Sequence, residues 1–369
     1  MFIKNKQSHT QTIAVIFILF FLSSCGNTDR PATGDPVVVT DLLGREVVVP
    51  DNIERIIGLR AGALRLLVYM DAVQLIAGVE QSEKRGKKPY LKAYPELMQL
   101  PSIGPAMGGD AEMILNAQPD VIFITYTTRQ DADMLQRKTG IPVVALECTD
   151  LGTDNETLFA SLKLIGQVIN KEERADLLIS YITNNINELE KRTSKVSKYN
   201  KPSVYTGGLS YSTSYGISAT HSRFAPFMFV NANNVASSID ERLTSHVKGT
   251  FVDIEKLMLW NPDYIFIDES GLQMVRKDIN KKPVLRSSLK AIKNNNIFCL
   301  LAYNNYATNY EYVLLNAWYI GKQLYPAEFE DININKKAEE LLYQFYSKNV
   351  ADKLLTSSVA LNRIPVEEL

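Results

Sequence analysis

From residue 37 to residue 169, short apolar runs alternate with stretches whose apolar residues recur at helical spacing. Val37-Val38-Val39-Thr40 and Glu46-Val47-Val48-Val49 flank Asp41-Leu42-Leu43-Gly44-Arg45, which predicts a hairpin with Gly44 in its turn. Ile56-Ile57-Gly58-Leu59, Leu75-Ile76-Ala77-Gly78-Val79, Val121-Ile122-Phe123-Ile124 and Val143-Val144-Ala145-Leu146 read as strands. Residues 61–70, 131–138 and 156–169 read as helices. Strands separated by helices predict a parallel sheet covered on its faces.

Residues 171–197 break the alternation. The stretch lacks Gly and Pro and is apolar at Ala175, Leu178, Ile179, Ile182, Ile186 and Leu189. One helix of that length would run about 40 Å. A second α/β pattern follows Pro202. Strands are expected at 204–205, 264–267 and 297–300, and helices at 224–230, 254–260 and 310–324, with a last helix at 334–346.

The two halves share a repeat. Asp110-Ala111-Glu112-Met113-Ile114-Leu115-Asn116-Ala117-Gln118-Pro119-Asp120-Val121-Ile122-Phe123-Ile124 aligns without a gap to Asp253-Ile254-Glu255-Lys256-Leu257-Met258-Leu259-Trp260-Asn261-Pro262-Asp263-Tyr264-Ile265-Phe266-Ile267. The offset is 143 throughout (110 to 253, 119 to 262). Each copy reads as a helix start capped by Asp, a short helix, a Pro-Asp turn and a buried strand. A Glu in the first helical turn, Glu112 or Glu255, is favoured there by the helix dipole alone. Two equivalent carboxylates on paired domains also suit a two-fold symmetric partner. The expected fold is α/β, two Rossmann-like parallel-sheet lobes joined by a single long rigid helix. The lobes fall at 37–170 and 199–330, the connector at 171–198 and a C-terminal helical segment at 331–369.

The N-terminus bears on location. Lys4 and Lys6 precede about ten apolar residues that end in Leu22-Ser23-Ser24-Cys25. The run is too short for a bilayer-spanning helix and has the form of a secretory signal. Small residues directly before Cys25 resemble a bacterial lipobox, which implies a signal peptide at 1–24, lipidation of Cys25 and a polar tether over 25–36. The protein is then exported and held to a membrane by acyl chains only, in the periplasm or on the cell surface.

The chain has 369 residues, 46% hydrophobic and 22% charged, with a formal net charge of −1, which argues against a nucleic-acid binder. After Cys25 only Cys148 and Cys299 remain, and both read as small buried hydrophobes rather than a disulfide. Beyond residue 25 only His221 and His246 are present, too few for a bare soft-metal site. Nucleophile-elbow, P-loop and His-Glu-x-x-His patterns are absent, so the chain does not read as an enzyme and no cofactor is expected.

Taken in order, Thr40-Asp41-Leu42-Leu43-Gly44-Arg45-Glu46-Val47-Val48-Val49-Pro50, Glu54-Arg55-Ile56-Ile57, Ile76-Ala77-Gly78-Val79, Ile103-Gly104-Pro105 and both Glu-x₆-Pro-Asp repeats resemble the solute-binding proteins of ABC importers, in the family that takes up ferric siderophores, haem and cobalamin. The resemblance spans residues 38–324. It implies a monomer that captures an iron chelate or corrinoid and hands it to an ABC permease dimer. It also implies that Glu112 and Glu255 dock on permease arginines. An oxyanion such as molybdate and a surface scavenger without a permease are the alternatives.

Open α/β sheets bind ligands beyond the carboxyl ends of their strands. That rule selects Arg60, Tyr126, Thr127, Thr128 and Arg129 in the first lobe. In the second it selects Ser210, Tyr211, Tyr215, His221, Arg223, Glu269, Tyr303, Asn304, Asn305 and Tyr306. Tyr supplies rigid amphipathic area and Arg a fork of donors, a pairing that suits a partly aromatic anionic ligand.

Overall fold

A computed structural model of the chain describes residues 1, 36–86, 88–211, 213–239, 250–356 and 358–369. Cys25, the signal segment, nearly all of the tether and His246 lie outside the described residues.

Lobe 1 begins with the expected hairpin, β1 (Val37–Thr40) and β2 (Glu46–Val49). β3 (Ile56–Leu59) leads into α1 (Ala63–Tyr69), and α2 (Pro89–Ala93) follows. Then come α3 (Ala111–Ala117), β4 (Val121–Ile124), α4 (Arg129–Thr139), β5 (Val143–Ala145) and α5 (Asn155–Ile169). The sheet has the order β3-β4-β5, all parallel, and every residue of these strands is buried. Burial on both faces explains their continuous apolar runs. The strand expected at 75–79 is reduced to two isolated parallel bridges, Ile56–Ile76 and Val79–Ser102. Leu75 closes a 3₁₀ turn instead.

The connector α6 spans Glu172–Thr193, 22 residues or about 33 Å, shorter than the apolar pattern predicts. Its buried stripe includes Ala175, Leu178, Ile182, Ile186 and Leu189, and it packs on α5.

Lobe 2 contains β6 (Ser203–Gly207), β7 (Ala219–Thr220), α7 (Ala225–Phe229), β8 (Asn233–Asn234), β9 (Thr250–Phe251), α8 (Ile254–Trp260) and β10 (Tyr264–Asp268). It continues with α9 (Leu272–Lys281), α10 (Val284–Ser288), α11 (Lys290–Lys293), β11 (Ile297–Leu300) and α12 (Tyr310–Leu324). β8, β6, β10 and β11 lie parallel in that order. Phe266 stacks on Phe298 at 5.6 Å across neighbouring strands, filling the core layer.

The C-terminal segment belongs to both lobes. α13 (Ile334–Tyr346) packs on α6 and α12 and touches α1, and α14 (Ala351–Leu355) packs on α2. The segment is not wholly helical: β12 (Asn362–Arg363) pairs antiparallel with β11 and closes that sheet edge. Among the described residues no helix is long and apolar enough to cross a membrane.

Candidate functional site

The turns that follow the strands of lobe 1 face the Tyr303–Asn309 turn of lobe 2, and the backbone there is unusual. Arg60 (φ 68°), Met107 (φ 71°), Tyr126 (φ 47°), Tyr306 (φ 58°) and Ala307 (φ 86°) all lie in the left-handed region. For residues with a Cβ such conformations cost about 1–3 kcal/mol each and persist where packing imposes them. Gly62 (φ 89°) follows Arg60, and a Cβ there would sit 3.0 Å from Ala307 of the other lobe. Close approach of the lobes therefore requires glycine at this position.

Glu80 is the first node of the seam. It is buried, and its carboxylate accepts the Arg60 N–H at 3.1 Å, the Gly108 N–H at 3.1 Å and the Tyr306 hydroxyl at 2.8 Å. Burial pushes this carboxyl upward, against the pull of those three donors. The Arg60 guanidinium donates to the Tyr126 carbonyl, and its buried Nε has no hydrogen-bond partner among the described residues.

Asp150 is the second node. It lies in the loop after β5 and accepts from Thr308 Oγ1 at 3.0 Å. His221 Nε2 stands 3.6 Å from its other oxygen. Because His221 Nδ1 accepts the Arg223 N–H at 3.1 Å, the ring hydrogen of the neutral imidazole resides on Nε2, toward Asp150. The Tyr303 hydroxyl is buried beside Asp150, and burial first, then the Asp150 charge, pushes it well above the usual phenol range.

A third link is fully buried. Arg65 of α1 donates to the Thr308 carbonyl at 2.7 Å, the Asn305 carbonyl at 2.8 Å and Asn309 Oδ1 at 2.7 Å. Tyr69 donates to Glu311, which also accepts the Tyr346 hydroxyl at 2.6 Å. Nearby, a cavity of about 230 Å³ is walled by Lys92, Glu269, Asn305, Asn309, Tyr312 and Ser358.

Of the residues selected from the sequence, Arg60, Tyr126, His221, Tyr303 and Tyr306 gather at the Glu80 and Asp150 nodes. Arg129 does not. Its guanidinium donates to the Leu43 and Gly44 carbonyls at 2.9 and 3.0 Å and braces the hairpin turn. Thr128 caps α4 through the Asp131 N–H, and among the described residues Thr127 donates to the Thr128 carbonyl, at 3.4 Å. Tyr211 donates to the Thr220 carbonyl at 2.6 Å and joins Tyr215 and Phe251 in an aromatic group, where the Tyr215 and Phe251 centroids are 4.8 Å apart. Arg223 is exposed. Glu80, Asp150 and Thr308 were not selected. Glu80 and Asp150 follow strand-like apolar runs by one and four residues, so the same strand-end rule reaches both. Arg65 has a different signal, a charge inside an otherwise apolar helix, which demands buried acceptors.

On the outer face, Glu112 and Glu255 are exposed in the first turns of α3 and α8, and neither carboxylate has a partner among the described residues. The Asp110 carboxylate caps α3 through the Glu112 and Met113 N–H groups at 3.0 and 3.1 Å.

Two α/β lobes, one connecting helix and a seam of cross-lobe polar contacts match a known architecture. The family model for periplasmic binding proteins aligns with residues 62–303, well over half of the chain. The chain belongs to the periplasmic binding protein family. The molybdate-binding protein MolA of Haemophilus influenzae is 26% identical over 359 residues, covering 91% of this chain and 96% of its own. The structure of MolA bound to molybdate aligns with a TM-score of 0.66 over 85% of this chain and 98% of its own. The petrobactin-binding protein YclQ of Bacillus subtilis is 22% identical over 289 residues, 76% of this chain and 86% of its own. A periplasmic solute-binding protein of Veillonella parvula aligns with a TM-score of 0.69 at 22% identity, over 88% of this chain and 96% of its own, and supports the fold alone. The protein is thus a substrate-binding protein of an ABC importer and not an enzyme.

Proposed function

We propose that this binding protein captures a small oxyanion of the molybdate class and delivers it to an ABC permease. The observation that carries this reading is the direct hydrogen bonding of the lobes across the seam, at Tyr306–Glu80 (2.8 Å), Thr308–Asp150 (3.0 Å) and Arg65–Asn309 (2.7 Å). A haem or siderophore fills a pocket of about 300–1,000 Å³ and needs the lobes held well apart. A tetrahedral oxyanion needs only a few donors, and the buried Arg60 Nε at the Glu80 node is one without a partner among the described residues. The similarity to MolA along nearly the whole chain supports the same choice.

The test is thermal unfolding and calorimetric titration of the soluble chain beginning after Cys25, against molybdate, tungstate, several ferric siderophores, haem and cobalamin. Ligand at 100 times its dissociation constant adds about 2.7 kcal/mol to stability. A shift with molybdate or tungstate alone supports the reading, and a shift only with a chelate overturns it. The ferric siderophore is the second reading, favoured by the aromatic group Tyr211, Tyr215 and Phe251, whose Phe251 is 47% exposed.

Docking rests on Glu112 and Glu255, each beside exposed apolar residues of the same helix, Met113 and Leu115 on α3 and Leu259 on α8. The double substitution Glu112→Arg and Glu255→Arg is expected to abolish uptake while ligand affinity stays as in the wild type. Unchanged uptake would remove the docking assignment and favour a scavenger without a permease. A lipid anchor at Cys25 completes the reading, and the Cys25→Ser chain should appear in the soluble fraction of the exporting cell.

A further inference from the structure

We propose that the Tyr306 side chain is the gate of the interlobe cleft: it and the Thr308 hydroxyl release to let cargo pass, while the Arg65 link keeps the lobes joined. The inference rests on cargo lying between the lobes, as in the oxyanion reading above. Tyr306 comes from lobe 2 and is seated in a socket of lobe 1. Its hydroxyl donates to Glu80 at 2.8 Å and accepts the Met107 N–H at 3.4 Å, and the Lys88 ammonium stands 4.7 Å from its ring centroid. Lys88 is itself held by Glu83 at 3.0 Å and by the Ser82 carbonyl at 3.1 Å.

Which cross-lobe link yields is decided by what each leaves unpaired, since a buried polar group stripped of its partner carries the largest penalty. Withdrawal of Tyr306 leaves its socket satisfied. Glu80 keeps the Arg60 and Gly108 N–H groups, both at 3.1 Å, and Lys88 keeps Glu83 and the Ser82 carbonyl. Met107 is 60% exposed and Tyr306 is half-buried, so solvent is at hand for the groups that part. The Thr308 hydroxyl has an acceptor within its own lobe, Asn304 Oδ1 at 3.2 Å, to which it turns on leaving Asp150. Tyr306 and Ala307 also hold left-handed backbones (φ 58° and 86°), which release allows to relax. Arg65 is the opposite case. It is fully buried, and its withdrawal would strand a guanidinium together with the Thr308 carbonyl and Asn309 Oδ1.

Cys148 reports the gate without any cargo. A Cβ on Gly62 would lie 2.8 Å from Cys148 Sγ and 3.0 Å from Ala307 Cβ, so the thiol borders the residue next to Tyr306, and burial pushes it up to about 12. In the chain beginning after Cys25 the other thiol is Cys299, buried in β11, which serves as the control for global unfolding. Alkylation of each thiol is followed by mass spectrometry in the wild type, in Tyr306→Phe and in Arg129→Ala, which loosens lobe 1 away from the seam. Release of radiolabelled molybdate is followed in a chase with unlabelled molybdate. In Tyr306→Phe, Cys148 alkylation is expected to run about fivefold faster or more, a change of the size one neutral hydrogen bond supplies. Labelled molybdate should leave faster as well, while Cys299 in every chain and Cys148 in Arg129→Ala react as in the wild type. Unchanged Cys148 alkylation in Tyr306→Phe, or the same acceleration in Arg129→Ala, overturns the gate. Faster alkylation with unchanged molybdate release overturns it as the path of the cargo. If the wild type binds no molybdate, the oxyanion reading falls, and the alkylation rates still decide whether Tyr306 is the gate.

Discussion

The two lobes carry the same fifteen-residue repeat, and their differences separate what the repeat does from what each lobe does. In both copies the Asp of the Pro-Asp turn reaches back to the start of a neighbouring strand of the lobe's parallel sheet, β3 in lobe 1 and β6 in lobe 2. Asp120 accepts the Glu54 and Arg55 N–H groups at 2.9 and 2.8 Å. Asp263 accepts the Ser203 N–H at 2.7 Å and the Ser203 hydroxyl at 2.6 Å. Both helices also end in a left-handed residue, Gln118 and Asn261. The caps differ: Asp110 caps α3, but the Asp253 side chain makes no capping bond to α8. The largest difference is at the carboxyl end of the central strand. Lobe 1 has Thr125, which donates to the Ala61 carbonyl at 2.8 Å. Lobe 2 has Asp268 at the same offset of 143 (125 to 268), and it accepts the Tyr303 and Ser270 N–H groups at 2.7 and 2.9 Å. The repeat thus supplies the scaffold, and the strand ends carry what is particular to each lobe.

The sharpest way to break the pairing of the lobes is Arg65→Met. It leaves the Thr308 and Asn305 carbonyls and Asn309 without their buried donor and should cost about 3–5 kcal/mol in urea unfolding. A loss under 1 kcal/mol would mean that solvent reaches the seam. Next come Asp120→Ala and Asp263→Ala. If the two turns are equivalent, each should lose a similar amount, about 1.5–3 kcal/mol. A loss confined to one lobe would make the repeat a coincidence of sequence.

Asp268 separates the lobes by pH. Burial first, opposed by its hydrogen bonds, pushes this carboxyl up to about 7. Between about 4, the unfolded value, and about 7 the folded protein holds a proton that the unfolded chain has released. Stability must then fall as pH rises through this window, and the loss is complete above it. Asp268→Asn should flatten that slope in unfolding measured at several pH values, whereas Thr125→Val should leave it as in the wild type. The smallest contrast is at the caps: Asp110→Ala should cost about 1 kcal/mol, and Asp253→Ala should stay within about 0.5 kcal/mol. Equal losses would show that Asp253 caps α8 in solution.

The scaffold was readable because its signals are local. Val121–Ile124 and Tyr264–Asp268 are apolar runs beside Pro-Asp turns, and α6 follows its apolar stripe. Residues 75–79 misled because an apolar run also suits a buried connecting segment, and ladder formation depends on a neighbour. β12 was invisible: Asn362 and Arg363 have no strand signature and pair only because the edge of β11 is open to them. At the seam, strand ends located Arg60, Tyr126, Tyr303 and Tyr306. The same rule selected Arg129, which the hairpin carbonyls claim instead.

Sequence by itself determined the two-lobed α/β scaffold, the connecting helix, the repeat and the exposed carboxylates Glu112 and Glu255. Each follows from periodicity or spacing within one segment of chain. Tertiary structure alone decided which polar groups meet across the lobes: Glu80 with Tyr306, Asp150 with Thr308 and His221, Arg65 with Asn309. Those partners lie 71 to 244 residues apart. Hydrogen bonds act over about 3 Å, so only the folded packing of two separate sheets brings such groups within reach.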